Sequence, residues 1–252
     1  LTFQFCLGDK TMFKGVRRIE PGCLVVGKGG CIKKVKRYWD VDFTIDDSRE
    51  STEFAAELRV LLNDAVKLQT RSDVPVGAYL SGGLDSSIVA VMAAQHINKP
   101  MHLFHGRFSE GPQFDESTYA EMVDTEIEGS QLHITSPTAA DFVADMPKLI
   151  YAMDEPVAGP GLFAQYHVSS IAAQNVKVVL GGQGGDEVFG GYARYLIGYL
   201  EQALKGAIFE TQEEGNHLVS LASIIPNLPL LRNYQPLMQK FWRDGLFDDM
   251  DQ

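Results

Sequence analysis

The 252-residue chain is 45% hydrophobic and 22% charged, a globular composition with enough apolar residues for a packed core. Its net charge of −11 sets an acidic surface against phosphate backbones, and no apolar run is long enough to span a bilayer, so neither nucleic-acid binding nor membrane insertion is expected. The three cysteines, Cys6, Cys23 and Cys31, are odd in number and lack paired close spacing, which argues against zinc or a disulfide framework and for a reducing, cytoplasmic setting.

The opening residue is Leu rather than Met, which suits a piece of a longer polypeptide. Residues 1–45 read as a small β segment. The Pro21-Gly22 turn leads into a strand-like CLVVG, and Gly29-Gly30 turns into CIKKVKRYWDVDF, whose alternating apolar and basic residues suit a half-exposed strand. Lys33, Lys34, Lys36 and Arg37 are read as the solvated face of that strand rather than as a nucleic-acid patch. A polar linker follows, and residues 46–252 form the second unit, expected to be cut short at its C-terminal end. Ser51 or Thr52 is the expected cap of a helix carrying Phe54, Leu58, Leu61, Leu62, Ala65 and Leu68 at helical spacing.

Beyond this helix, strands and helices alternate. A strand over 76–80 runs into the turn SGGLDSS, after which an apolar helix follows. Strands are expected over 101–108, 130–135 and 176–180, with helices near 117–127, 139–153 (kinked at Pro147) and 164–173 between them. His102 and His105, without acidic partners at ligand spacing, read as structural. The last strand runs directly into GGQGGDEVFGGYARY, and a helix is expected from Tyr192 to Phe209, then short helices broken by Pro226, Pro229 and Pro236. This alternation predicts an α/β fold with a parallel twisted sheet flanked by helices. Ligands of such sheets bind at the carboxyl ends of strands, so the two glycine turns should meet on one edge.

SGGLDSS lacks the lysine of a Walker A loop and is not a dinucleotide fingerprint. It does combine a glycine turn, a helix start and the hydroxyls of Ser81, Ser86 and Ser87, which suits pyrophosphate oxygens. Asp85 inside such a cradle would repel phosphate unless a cation lay between them. Mg²⁺ accepts one or two carboxylates beside phosphate oxygens and water, so Asp85 implies that metal. Asp186 in the second turn can supply the other carboxylate, while Glu187 could bind metal, accept a hydrogen bond or complement the helix dipole.

Ser81 to Ser87 resembles the PP-loop of N-type ATP pyrophosphatases. With Asp154-Glu155-Pro156 and residues 181–192, it resembles the synthetase domain of glutamine-dependent asparagine synthetases, and residues 11–40 resemble the segment that joins their glutaminase domain to it. The resemblance implies an adenine nucleotide alpha hydrolase-like, Rossmann-like fold. It implies ATP and Mg²⁺ as cofactors and a small-molecule carboxylate, aspartate or a related acid, that is adenylated with release of pyrophosphate. Ammonia, delivered from glutamine by a glutaminase domain, would then displace AMP. By resemblance, Leu80, Ser81, Gly82, Gly83, Asp85, Ser86, Ser87 and Gly182 bind the nucleotide, Asp85 and Asp186 hold the metal, and residues 106–108 line the adenine pocket. The catalytic set is Asp85, Asp186 and Gln183.

Gln183 stands where the family typically carries Glu, and Gln can neither act as a base nor balance an ammonium. The family's pyrophosphate-stabilising lysine lies further along and is not carried over to any residue of this chain. A β-lactam synthetase-like or peptide- or sugar-acid-modifying relative, a non-catalytic nucleotide-binding module and a tRNA-modifying PP-loop enzyme are the rival readings. The oligomeric state is left open, homo-oligomers included.

Overall fold

Short apolar strands and glycine turns sort the chain into two sheets. The structure, a computed structural model, describes residues 5–200 apart from 45, 47, 98, 99, 109, 110, 112–114, 158, 193, 194 and 197. The N-terminal unit is an antiparallel ribbon of β1 (Cys23–Lys28) and β2 (Cys31–Arg37). Where the alternation predicts a half-exposed strand, β2 is exposed along its whole length, because a two-stranded ribbon has no further layer to bury one face. Its basic side chains are solvated as expected, and Arg37 pairs with Glu20 at 2.9 Å. Arg18, from the segment before the ribbon, pairs with Glu155.

Helix α1 (Ser51–Gln69) starts at Ser51, so its cap lies one residue before the earlier of the two expected caps. Glu50 caps it, because Glu53 in the first turn reaches back to the Glu50 N–H at 3.0 Å. The main sheet comprises β3 (Val76–Tyr79), β4 (Met101–Gly106), β5 (Ser130–Thr135) and β6 (Val178–Leu180). These four strands are all parallel and lie in the order β5-β4-β3-β6. Their connections are α2 (Leu84–Ala94), α3 (Ser117–Glu126), α4 (Ala139–Met153) and α5 (Pro160–Asn175).

Helices cover both faces, as parallel sheets require. On one face Ala78, Leu80 and Leu103 of the sheet region, all at 0% exposure, pack with Ala90 and Ala93 of α2 and Ala120 of α3. On the other, Phe104 packs with Ala172 and Val168 of α5. Beyond them Phe163 of α5 meets Met146 and Leu149 of α4. Helix α4 continues through Pro147 and ends at Asp154, whose φ of 55° is a left-handed stop. Strand β6 is shorter and more exposed than its β-branched sequence predicts, since Val176 terminates α5 and β6 pairs with β3 alone among the described residues. A short α6 (Gly185–Phe189) follows it. The helix expected over 192–209 and the proline-broken remainder lie largely outside the described residues.

Candidate nucleotide and acceptor site

The first turn leaves the sheet from a pinned residue. Leu80 N–H donates to the Phe104 carbonyl at 2.9 Å, and the Leu80 carbonyl accepts from His105 Nδ1 at 2.8 Å. Gly82 then adopts φ 93°, a left-handed conformation that disfavours any side chain, and Gly83 caps α2. The helix begins at Leu84, so Asp85 and Ser86 belong to its first turn, where the backbone N–H groups have no intrahelical partner. The hydroxyls brace this loop: Ser81 Oγ and Ser86 Oγ lie 2.9 Å apart, Gly83 N–H donates to Ser81 Oγ at 3.2 Å, and Ser87 Oγ donates to the Gly83 carbonyl at 2.8 Å.

The second turn, after β6, lies directly on the first because β3 and β6 are paired neighbours. A methyl group on Gly182 would stand 2.6 Å from Ser86 N and 2.7 Å from the Asp85 carbonyl carbon, so backbone meets backbone there. A methyl group on Gly185 would stand 2.2 Å from Asp85 Oδ2. Asp186 follows in the first turn of α6, and its carboxylate lies close beside Gly191.

Together the turns, the end of β4 and the α5 face enclose an open cleft of about 690 Å³. Of the residues nominated from sequence, Leu80, Ser81, Gly83, Asp85, Ser86, Gly182, Gln183 and Asp186 line it. Gly82 and Ser87 stand outside this lining: Gly82 packs against the Glu116 main chain, and Ser87 borders a separate depression beside α1. Gly106 and Phe108 line the cleft, whereas Arg107 turns away to donate to Ser117 Oγ and Glu121. One wall is thus apolar, formed by Phe104, Phe108, Ala164 and Val168, and the opposite wall carries the glycine turns and acids.

No lysine or arginine is among the described residues of this lining, but Asp85, Asp186 and Glu116 are. A polyphosphate could not enter such a site without a cation. The donor set fits Mg²⁺, which needs only one or two carboxylates when phosphate and water fill its other positions. No group of three or more potential metal ligands occurs among the described residues, so the protein alone offers no closed metal cage there.

Three contributors were not singled out from sequence as site residues. His105 is 1% exposed and holds the carbonyl that launches the first glycine turn. Its Nε2 is buried without a hydrogen-bond partner among the described residues. His102, by contrast, pairs with His133 at 2.9 Å on the same sheet face as Phe104, and neither lines the cleft. Gln165 of α5 lines the cleft and accepts from Gln183 Nε2 at 3.1 Å. Tyr79 also lines it, and its hydroxyl meets Ser169 at 2.8 Å. No local signal marks Gln165 within the expected helix; Pro160 starts α5 at its first position instead of extending the preceding loop.

Comparison with known proteins agrees with this architecture. The family model described as asparagine synthase matches residues 57–244. A Methanocaldococcus jannaschii protein, provisionally named glutamine-hydrolyzing asparagine synthetase 2, is 43% identical over 165 residues, covering 64% of this chain and 31% of the relative. A Mycobacterium bovis protein with a similarly provisional name is 37% identical over 196 residues, 76% of this chain and 29% of the relative. Glutamine-hydrolyzing asparagine synthetase 1 of Bacillus subtilis is 31% identical over 199 residues, 77% of this chain and 30% of the relative. The chain therefore spans roughly 30% of the length of these relatives. With the family match running from α1 through both glycine turns, this chain belongs to the asparagine synthase family.

Proposed function

We propose that this chain is the synthetase portion of an ATP- and Mg²⁺-dependent amide ligase that adenylates a small carboxylate and transfers ammonia to it. The observation that carries the reading is the seating of Gly185 on the Asp85 carboxylate, which joins the two turns into one acid-bearing cradle at a helix N-terminus. In this reading Asp85 and Asp186 hold Mg²⁺, which supplies charge neutralisation for the departing pyrophosphate. The unpaired N–H groups at the start of α2 face the same charge. The apolar wall of Phe104, Phe108 and Val168 takes the adenine, and its exclusion of water protects the activated acid.

The chemistry has two displacements. A carboxylate oxygen of the acceptor attacks the α-phosphorus, and the bond to the bridging oxygen of pyrophosphate breaks. Ammonia nitrogen then attacks the acyl carbon, AMP leaves with the carbon–oxygen electron pair, and nitrogen loses a proton. Gln183 is neutral and serves as a hydrogen-bonding group, not as the base. The ammonia comes from glutamine through a preceding glutaminase domain, the protein acts in the cytoplasm, and the 1–45 ribbon segment is the tail of that domain with its linker.

The test is pyrophosphate–ATP exchange by the full-length protein in the presence of its carboxylate. Exchange is expected, and Asp85→Asn abolishes it; undiminished exchange in that variant sinks the assignment. The neutral Gln183 favours a second reading, in which the acceptor is a peptide, sugar acid or β-lactam precursor instead of aspartate. AMP release across a panel of acids separates the two, and robust asparagine formation from aspartate and ammonia rules the second out.

A further inference from the structure

A relay of side chains behind the cleft wall determines how Gln183 faces a ligand. Ser169 has one hydroxyl hydrogen, and it goes to the Gln165 main-chain carbonyl at 2.6 Å. Ser169 Oγ is therefore an acceptor, and the Tyr79 hydroxyl at 2.8 Å and Gln165 Nε2 at 3.3 Å donate to it. With its nitrogen turned inward, Gln165 presents Oε1 to Gln183, whose Nε2 donates to it at 3.1 Å. A single serine hydrogen thus sets the amide orientation of both glutamines.

The other end of Gln183 is fixed as well. Its Oε1 is turned back over Gly181, where a methyl group would meet it at 2.2 Å. Gln183 Nε2 has two hydrogens, and Gln165 engages one of them. Since both glutamines line the cleft, the pair offers the remaining N–H there and is itself uncharged. Of the three acids of the lining, Asp85 lies against Gly182 and Gly185 and Asp186 against Gly191, both committed to the cation in the reading above, while Glu116 lies against Gly82. A Glu at 183 would set carboxylate oxygens against Gln165 Oε1, and the relay has no hydrogen to place between them.

We propose that Gln165 is a positioning residue that locks Gln183 as a hydrogen-bond donor, and that this pair selects acceptor acids presenting an uncharged acceptor group, such as an amide carbonyl, over acids presenting a free ammonium. At this pair an ammonium sets donor against donor and gains no hydrogen bond, whereas an uncharged acceptor group takes the free N–H. The inference rests on the adenylation reading above and narrows its substrate class.

The experiment measures pyrophosphate–ATP exchange by the full-length protein with two probes, aspartate and N-acetylaspartate. The unaltered protein is expected to favour N-acetylaspartate by about tenfold or more in kcat/KM. Gln183→Glu shifts the preference toward aspartate. Gln165→Leu, which leaves Gln183 in place but unlocked, erodes it through KM while kcat for exchange holds, a split that a merely structural lesion would not give. Calorimetry with ATP and Mg²⁺ verifies that each variant is folded, and either variant alone decides the matter. An unaltered protein that uses aspartate as well or better overturns the proposal, as does a preference that either folded variant leaves unmoved. ATP binding with no exchange for any carboxylate overturns the adenylation reading and this proposal with it.

Discussion

Asp85 Oδ2 occupies the position that a side chain on Gly185 would need: a methyl group there would come within 2.2 Å of the oxygen. The carboxylate of the first turn and the backbone of the second are thus one contact surface. Gly185→Ala must push the acid aside or lift the second turn. Displacements of about 1 Å in a reacting constellation cost roughly a hundredfold in rate. A loss of that order in pyrophosphate exchange is expected, with the far-UV circular dichroism spectrum retained. Full exchange activity in Gly185→Ala would show that the contact is dispensable.

Asp186 is the second acid of the cleft, and in the proposed site it shares the cation with Asp85. Asp186→Asn should leave one carboxylate and raise the Mg²⁺ concentration needed for half-maximal exchange, by about tenfold or more. Titration of exchange against Mg²⁺ checks this. An unchanged midpoint would remove Asp186 from the metal site.

His105 connects the sheet core to the loop through the Leu80 carbonyl. His105→Phe leaves that carbonyl without its donor, a lesion of about 1–3 kcal/mol. The same change removes Nε2, which is buried without a hydrogen-bond partner among the described residues, so the net cost should fall at the low end. The expected signature is a small fall in melting temperature with a larger loss of ATP affinity, read by calorimetry. Equal ATP affinity in the variant would make His105 a core residue only.

His133 carries a pH dependence of stability. Burial first, and the neighbouring His102 second, hold its imidazolium below the usual histidine range. A histidine whose folded pKa is depressed contributes stability that is fully present above the unfolded value, near pH 6.5, and lost as pH falls through the folded value. Melting temperature is therefore expected to decline as pH falls below about 6.5. His133→Asn should flatten that decline. An identical pH profile in the variant would assign the decline to other groups.

Leu103 tests the core. It is fully buried in β4 between the sheet and the helices α2 and α3. Leu103→Ala is expected to cost about 2–5 kcal/mol, measured as a shift of the urea midpoint. A smaller loss would mean that this layer relaxes around the cavity.

Much of this architecture was legible from local pattern. SGGLDSS and GGQGGDE each follow an apolar strand, and parallel pairing of β3 with β6 brings them to one edge, as the carboxyl-end rule requires. What escaped was non-local. That β6 would pair with β3, in the order β5-β4-β3-β6, is not written in either strand. Gln165 escaped because nothing local in the helix expected over 164–173 marks it, and its partner Gln183 is 18 residues away; Pro160 also opens α5 four residues before the expected start. Glu50 escaped as a cap because the Ser51-Thr52 hydroxyls fit the usual preference, while the decisive group was Glu53. His105 looked structural beside His102, and only the fold distinguishes the one that holds Leu80 from the one that pairs with His133.

The adjacency of β3 and β6 also governs when the site comes into being. Two strands and four helices separate them along the chain. As the chain emerges from the ribosome, the SGGLDSS turn is made long before the strand that seats Gly182 and Gly185 on it. Until Val178 pairs with Val76, one edge of β3 presents unpaired N–H and C=O groups, a template for misjoined strands. Closing so distant a pairing is slow, because the entropy of the intervening loop is lost before the contact forms. A nascent chain that ends before β6 therefore carries the first glycine turn without the second that completes the cleft.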